Sequence, residues 1–396
     1  MSPTLLSPEE SLLFRLAAPP ALASGAVRSL VARRIDWERF VALVDQERVA
    51  GSAWRDLSAM EIPIPPEIAE QLQFTAALSD FRLLAVRQLL ERTVAALSSA
   101  GIEVLLVKGA ALASFVYRDP CDRNMSDLDL VLPADRIREG ADIAGRIGWS
   151  IDGMELKAAL YEEHHHLPPM SDTLGLDIRL EIHSDVLPHG HPLRFGVSEM
   201  WSRAVKRPLG QATVLVPSTE DLLLHSCVHL GWSHEMRGGA WRTFRDVSEL
   251  IAQPSFSPER FFSIARERTV AGSCYWTLRL ASLLSGAPVP PQMLTVLQPR
   301  LPGWLRELVE RHLILECAPL SRRSPSVSLA RFLWTVAMRP AAAGHGGTRP
   351  WQHVERKMEK SIELGLPSPS ASSYAWWQTV DGIRDTVTYL RRLAAG

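Results

Sequence analysis

Four cysteines in 396 residues, Cys121, Cys227, Cys274 and Cys317, stand far apart, and no two have the spacing of a paired metal site. Such sparse use fits a reducing compartment and argues against a disulfide scaffold. The sequence also lacks an apolar run of bilayer length, which argues against a membrane-spanning helix. Its start, MSPTLLSPEESLL, has acids where a secretory signal needs bases. A soluble, cytoplasmic protein is the simplest expectation. Neither sign of charge is in excess: the formal net charge is -1, so no global field draws the chain to nucleic acid or an acidic membrane. No internal repeat is evident.

What the chain does have is apolar content, 46% of its residues, enough to bury more than one core. Residues 1–100 read as helices. Ser7 followed by Glu10 in SPEESLLFRLA is a capping-box start, and the stretch from Ile68 keeps helical periodicity until Gly101. From Ile102 the texture changes. VLLVKG reads as a short buried strand, AALASFVY as a helix, DLDLVL as a second strand, and ADRIREGADIAGRIGW as an amphipathic helix closed by Gly148. HHHLPPM and LDIRLEIH, separated by the turn-rich SDTLG, suggest two paired strands, and QATVLVP is a last candidate strand. Helical periodicity returns at Ser218. Three regions follow: helical 1–100, mixed α/β 101–217 and helical 218–396. The expected fold class is α+β, a small mixed sheet flanked by helices.

The chemistry gathers in the middle region. Side chains on a strand alternate faces, so Asp127 and Asp129 project together while Leu128, Leu130 and Leu132 pack inward. Carboxylates at i and i+2 suit a divalent-cation site for phosphoryl chemistry, which usually takes a third carboxylate from a neighbouring strand. LDIRLEIH offers Asp177 or Glu181, with His183 on the same face. Mg²⁺ is the expected ion, since it binds triphosphate oxygens and offsets charge on the transferring phosphorus. Ahead of the acids, Gly109 ends a strand and opens a helix, so backbone amides there can face phosphate oxygens. Lys108 and Arg123 supply positive charge at the same place.

The pattern Lys-Gly-Ala-Ala-Leu, then Tyr117, Arg123 and Ser-Asp-Leu-Asp, resembles the nucleotidyltransferase superfamily that shares the DNA polymerase β-type catalytic fold. Within it the chain is most similar to the bacterial uncharacterised nucleotidyltransferase family, over Val104 to His183. The resemblance implies Mg²⁺-dependent transfer, with two ions, of a nucleoside monophosphate from a triphosphate, ATP foremost, to an acceptor. That acceptor is a hydroxyl or similar group on a small molecule, peptide or protein. By position, Asp127, Asp129 and Glu181 match the metal-binding and catalytic acids, Glu181 also serving to activate the acceptor hydroxyl. Lys108, Gly109, Ala110, Arg123, Ser126 and His183 match the nucleotide side. Ala110 departs from the Gly-Ser or Gly-Gly of many members, which leaves a nucleotide-binding but inactive protein as the alternative. Balanced charge argues against a polynucleotide acceptor.

Other motifs carry blander expectations. In Glu162–Pro169, strand alternation would put His164 and His166 on one face and His165 on the other, so the three histidines are not expected to converge on one zinc ion. A zinc hydrolase is the third functional reading. His225 and His229 stand at i and i+4 but lack the glutamate of the HExxH signature, so buried helix positions are expected. Asp246 is expected to cap a helix, Tyr117 to pack, and Trp376 and Trp377 to dock a terminal amphipathic helix onto the protein.

Overall fold

The capping box forms as its spacing predicts. In the computed structural model Ser7 N donates to Glu10 Oε2 at 2.8 Å and Glu10 N to Ser7 Oγ at 3.2 Å, opening α1 (Pro8–Arg15). The structure describes residues 5–151, 164–188, 191, 193–319, 327–338, 387–391 and 393. Among them the chain divides into two compact units. Trp376, Trp377 and the glycine-rich segment near residue 345 lie outside the described residues.

One unit is helical and comprises Met1–Glu47, Cys227–Ser248 and Phe262–Gly396. Within it α1 packs on α2 (Pro20–Val31) and α3 (Trp37–Glu47). Trp241 Nε1 donates to Leu13 O at 2.7 Å and the buried Arg245 to Leu16 O at 3.1 Å, so polar tips find partners while their bodies fill the core. Asp246 does not cap a helix: it lies inside Ala240–Ile251 and is buried.

The other unit, Arg48–Ser226 with Glu249–Phe261, contains the sheet. Its longest element after α4 (Ala50–Ala59) is α5 (Pro66–Ser99). Proline at the first helical position starts α5, and Gly101, at φ 71°, stops it, with Ile102 N returning to Leu97 O at 3.0 Å. Among the described residues seven strands follow: β1 (Leu105–Leu106), β2 (Asp127–Val131), β3 (Trp149–Ser150), β4 (Met170–Asp172), β5 (Arg179–His183), β6 (Val205–Leu209) and β7 (Ala212–Val216). They form one mixed sheet in the order β3-β4-β5-β2-β1-β7-β6. β2 runs antiparallel to β1 and parallel to β5. Helices α6 (Lys108–Phe115) and α7 (Ile137–Arg146) connect strands of this sheet, giving an α+β protein.

Burial explains the central strands. Leu106, Leu128, Leu130, Leu180 and Ile182 are almost fully buried, each contributing about 1.5–3 kcal/mol. On α5, Val86, Leu90, Val94 and Leu97 form the buried face, and Trp149 Nε1 donates to Thr93 Oγ1 at 2.9 Å, tying β3 to that helix. Sequence reading did not anticipate β3 or β6. β3 is only two residues long, and β6 (VKRPL) has four exposed residues and a proline, which only an edge strand tolerates. No described helix is long and apolar enough to cross a membrane.

Candidate active site

The site starts where β1 gives way to α6. Val107 is extended (φ −131°, ψ 173°), and Lys108 then takes φ 49°, a left-handed conformation that costs a non-glycine residue roughly 1–3 kcal/mol. The turn lets Lys108 Nζ reach Asp129 Oδ1 at 2.6 Å. Gly109 is needed for another reason: a Cβ there would stand 3.0 Å from Met125 Cγ and 3.7 Å from Arg123 Nη1. Close approach, not a positive φ, therefore favours glycine, and Arg123 stands beside the start of α6. Ala110 is fully buried. Val107, at the N-cap of α6, makes no side-chain cap hydrogen bond to its first turn.

β2 and β5 supply the acids. Their parallel register opposes Asp127 to Arg179, Asp129 to Glu181 and Val131 to His183. With side chains alternating, Asp127, Asp129, Glu181 and His183 share a face, while Leu128, Leu130, Leu180 and Ile182 take the other. His183 Nε2 lies 2.9 Å from Asp129 Oδ1 and 3.4 Å from Glu181 Oε2. Lys108 and His183 thus both serve one oxygen of Asp129. The other, Oδ2, is buried with no hydrogen bond. Ligand atoms of Asp129, Glu181 and His183 lie within 4.8 Å of one another.

The charges are strongly coupled. Burial opposes ionisation of Asp129, but Lys108 and His183 more than offset it and hold the carboxyl well below its usual range. Burial and then the nearby Asp129 charge push Asp127 up to about 6. Burial likewise works against the Lys108 ammonium, yet Asp129, Glu181 and Asp127 raise its pKa. Glu181 is lowered despite burial, chiefly by the hydrogen bond with His183. His183 is raised, its desolvation outweighed by Asp129 and Glu181. The cluster holds more acid than its resident cations neutralise, and Asp127 carries the imbalance.

Not every candidate joins the cluster. Asp177 precedes β5 at φ 51°, its side chain is 85% exposed, and it meets Arg48 at 3.5 Å. Of the two proposed third carboxylates, only Glu181 faces Asp129. Ser126 is half-buried and its carbonyl accepts from Arg179 N at 3.2 Å. Asp122 pairs with Arg55 at 2.7 Å, and Arg123 donates to Asn124 O. His229 opens a π-helical turn and its Nε2 lies 2.9 Å from His234 Nε2, which ends the helical register counted from His225.

The three histidines depart from the expected alternation. His164 and His165 lie in a bend, and only His166 bridges to a strand, opposite His183. Freed from strand geometry, the three rings present nitrogens within 4.8 Å of one another.

Sequence reasoning also missed Arg82 on α5. Its guanidinium donates to Met125 O (3.0 Å), Leu176 O (2.7 Å) and Asp177 O (2.8 Å). Those carbonyls lie just ahead of β2 and β5, so one planar fork fixes the entry of both acid-bearing strands. Donation to backbone carbonyls leaves no pattern in the sequence.

Carboxylates converging on one sheet face beside a lysine-bearing helix start point to a class: α+β proteins whose donor groups suit phosphorus-group chemistry. Within that class, the model of the family described as "Uncharacterised nucleotidyltransferase" matches residues 33–286, and the chain belongs to that family. Membership makes it a nucleotidyltransferase, and the matched span contains every residue of the cluster. No curated protein and no solved structure matches the chain.

Proposed function

We propose that the chain transfers a nucleoside monophosphate from a nucleoside triphosphate, ATP foremost, to a hydroxyl or similar group on a small molecule, peptide or protein, releasing pyrophosphate. We also place its core with the DNA polymerase β-type catalytic fold. The observation that carries the reading is the β2–β5 register, which sets Asp129 against Glu181 while Lys108 reaches Asp129 from the head of α6 at 2.6 Å.

The donor set suits Mg²⁺. Asp129 Oδ2 is a buried oxygen with no hydrogen bond, and Asp127, Asp129 and Glu181 are hard oxygen donors. These three would hold two ions, which when bound offset charge on the triphosphate and the transferring phosphorus. The chain's own groups do the rest. Glu181, kept ionised beside His183, accepts the proton of the acceptor hydroxyl. His183 positions both Asp129 and Glu181. Lys108, Arg123 and the uncapped amides opening α6 hold the pyrophosphate oxygens. A balanced overall charge favours an acceptor other than a polynucleotide.

The test is thermal denaturation with ATP and Mg²⁺ together. The wild type should gain stability and the Asp127→Ala/Asp129→Ala variant should gain none; full protection of that variant would sink the site assignment. Label transfer from radiolabelled triphosphates in cell extract, by wild type and not by Asp129→Ala, would reveal donor and acceptor.

A further inference from the structure

The bend that ends in His166 is held firmly against β5. Ser184 N and Oγ donate to His165 O at 2.8 and 3.1 Å, and Leu167 N donates to Ile182 O at 2.9 Å. His166 Nδ1 lies 2.8 Å from Leu167 O. A carbonyl only accepts, so Nδ1 is the donor in this contact. A carbonyl fixing one ring nitrogen is the outer support that metal-bound histidines normally have. His165 Nδ1 is buried with no hydrogen bond, an unmet need that calls for an explanation.

We propose that His164, His165 and His166 form a binding site for a borderline transition-metal ion, Zn²⁺ foremost, distinct from the carboxylate site. Their nitrogens lie within 4.8 Å of one another. Zinc–nitrogen bonds of about 2.0–2.1 Å at tetrahedral angles separate ligands by roughly 3.4 Å, so modest ring rotations close the shell. Three imidazoles suit Zn²⁺, Cu²⁺ or Ni²⁺ and not Mg²⁺, which separates this site chemically from the acids. Three protein ligands leave a fourth position open to water or another ligand. The site borders the acids: the His165 and His166 rings stand 5.5 and 5.0 Å from the His183 ring. An ion there would fix the bend against the strand that carries Glu181 and His183. The inference does not depend on nucleotidyl transfer.

The test uses the full chain, stripped with chelator and titrated with Zn²⁺ by calorimetry and with Co²⁺ by visible absorption. One ion per chain is expected, with the bands of a nitrogen-ligated tetrahedral cobalt. His164→Gln/His165→Gln should weaken binding by on the order of 100-fold, at or beyond the upper end of what losing an outer-shell partner costs. Asp127→Asn/Glu181→Gln and His229→Gln should bind as the wild type does. Should the double variant fold poorly, His166→Gln alone must still weaken binding and alter the cobalt bands. Zinc binding that survives the histidine changes overturns the proposal, as does binding abolished only by the acid changes or absent from the wild type.

Discussion

Lys108→Met removes an ammonium and keeps the aliphatic stem. In the native protein the ammonium stands 2.6 Å from Asp129, whose side chain is 0% exposed against 19% for the lysine. Orphaning one member of a buried pair costs about 3–5 kcal/mol, because the surviving charge stays out of water. The low end, about 3 kcal/mol, is expected because His183 still holds the same oxygen at 2.9 Å. Asp129→Asn should cost less, about 2 kcal/mol, since Glu181 and Asp127 also stabilise the Lys108 charge. The double variant leaves no orphan, so it should recover about 2 kcal/mol relative to the sum of the two. Urea unfolding in chelator, with hydrogen exchange followed at β2 and β5 amides, measures all three. Adding Mg²⁺ should then stabilise Lys108→Met, a divalent ion replacing the missing charge. A double variant that is additive within about 0.5 kcal/mol refutes the reasoning, as does a Lys108→Met loss below about 1 kcal/mol.

Arg82→Ala leaves three carbonyls without their donor and should cost about 2 kcal/mol, read as a lower urea midpoint. Arg82→Lys should rescue little, because an ammonium lacks the planar fork. Gly272→Ala would gain about 1 kcal/mol of helix propensity. Its Cβ would stand 2.9 Å from the backbone oxygen of Ala337, however, and overpacking of roughly 1–3 kcal/mol should make the net effect a lower melting temperature. Burial lowers His225 to about 3 and His312 to about 4, from ordinary values near 6.5. Below pH 6.5 the unfolded chain binds protons these rings refuse, so their contribution is complete above 6.5 and declines as pH falls toward those values. At pH 5.5 each costs on the order of 1 kcal/mol, and His312→Gln should flatten the acid side of a melting-temperature profile. His183, raised by its partners, acts oppositely: its contribution is full below 6.5 and is lost as pH rises through its folded pKa.

The fold class was legible because the period of apolar residues changes at Ile102 and changes back at Ser218. Asp127, Asp129 and Glu181 could be picked out because acids alternating with leucine and isoleucine stand out on strands. Asp177 fits the same alternation, but φ 51° breaks the strand before it, and backbone conformation is not written in periodicity. The histidine triple misled in the same way, since alternation has no force in a bend. β6 went unseen because what makes it a strand is its pairing with β7, not its own composition.

Asp129 meets Lys108 across 21 positions of sequence and His183 across 54. The first contact closes with the antiparallel β1–β2 pair; the second waits until the chain has crossed back and laid β5 alongside. The longer closure costs only about 0.8 kcal/mol more in chain entropy. Timing differs more. At roughly 5–20 residues added per second, His183 leaves the ribosome some seconds after Asp129. During that interval the lysine is the carboxylate's only companion of the two.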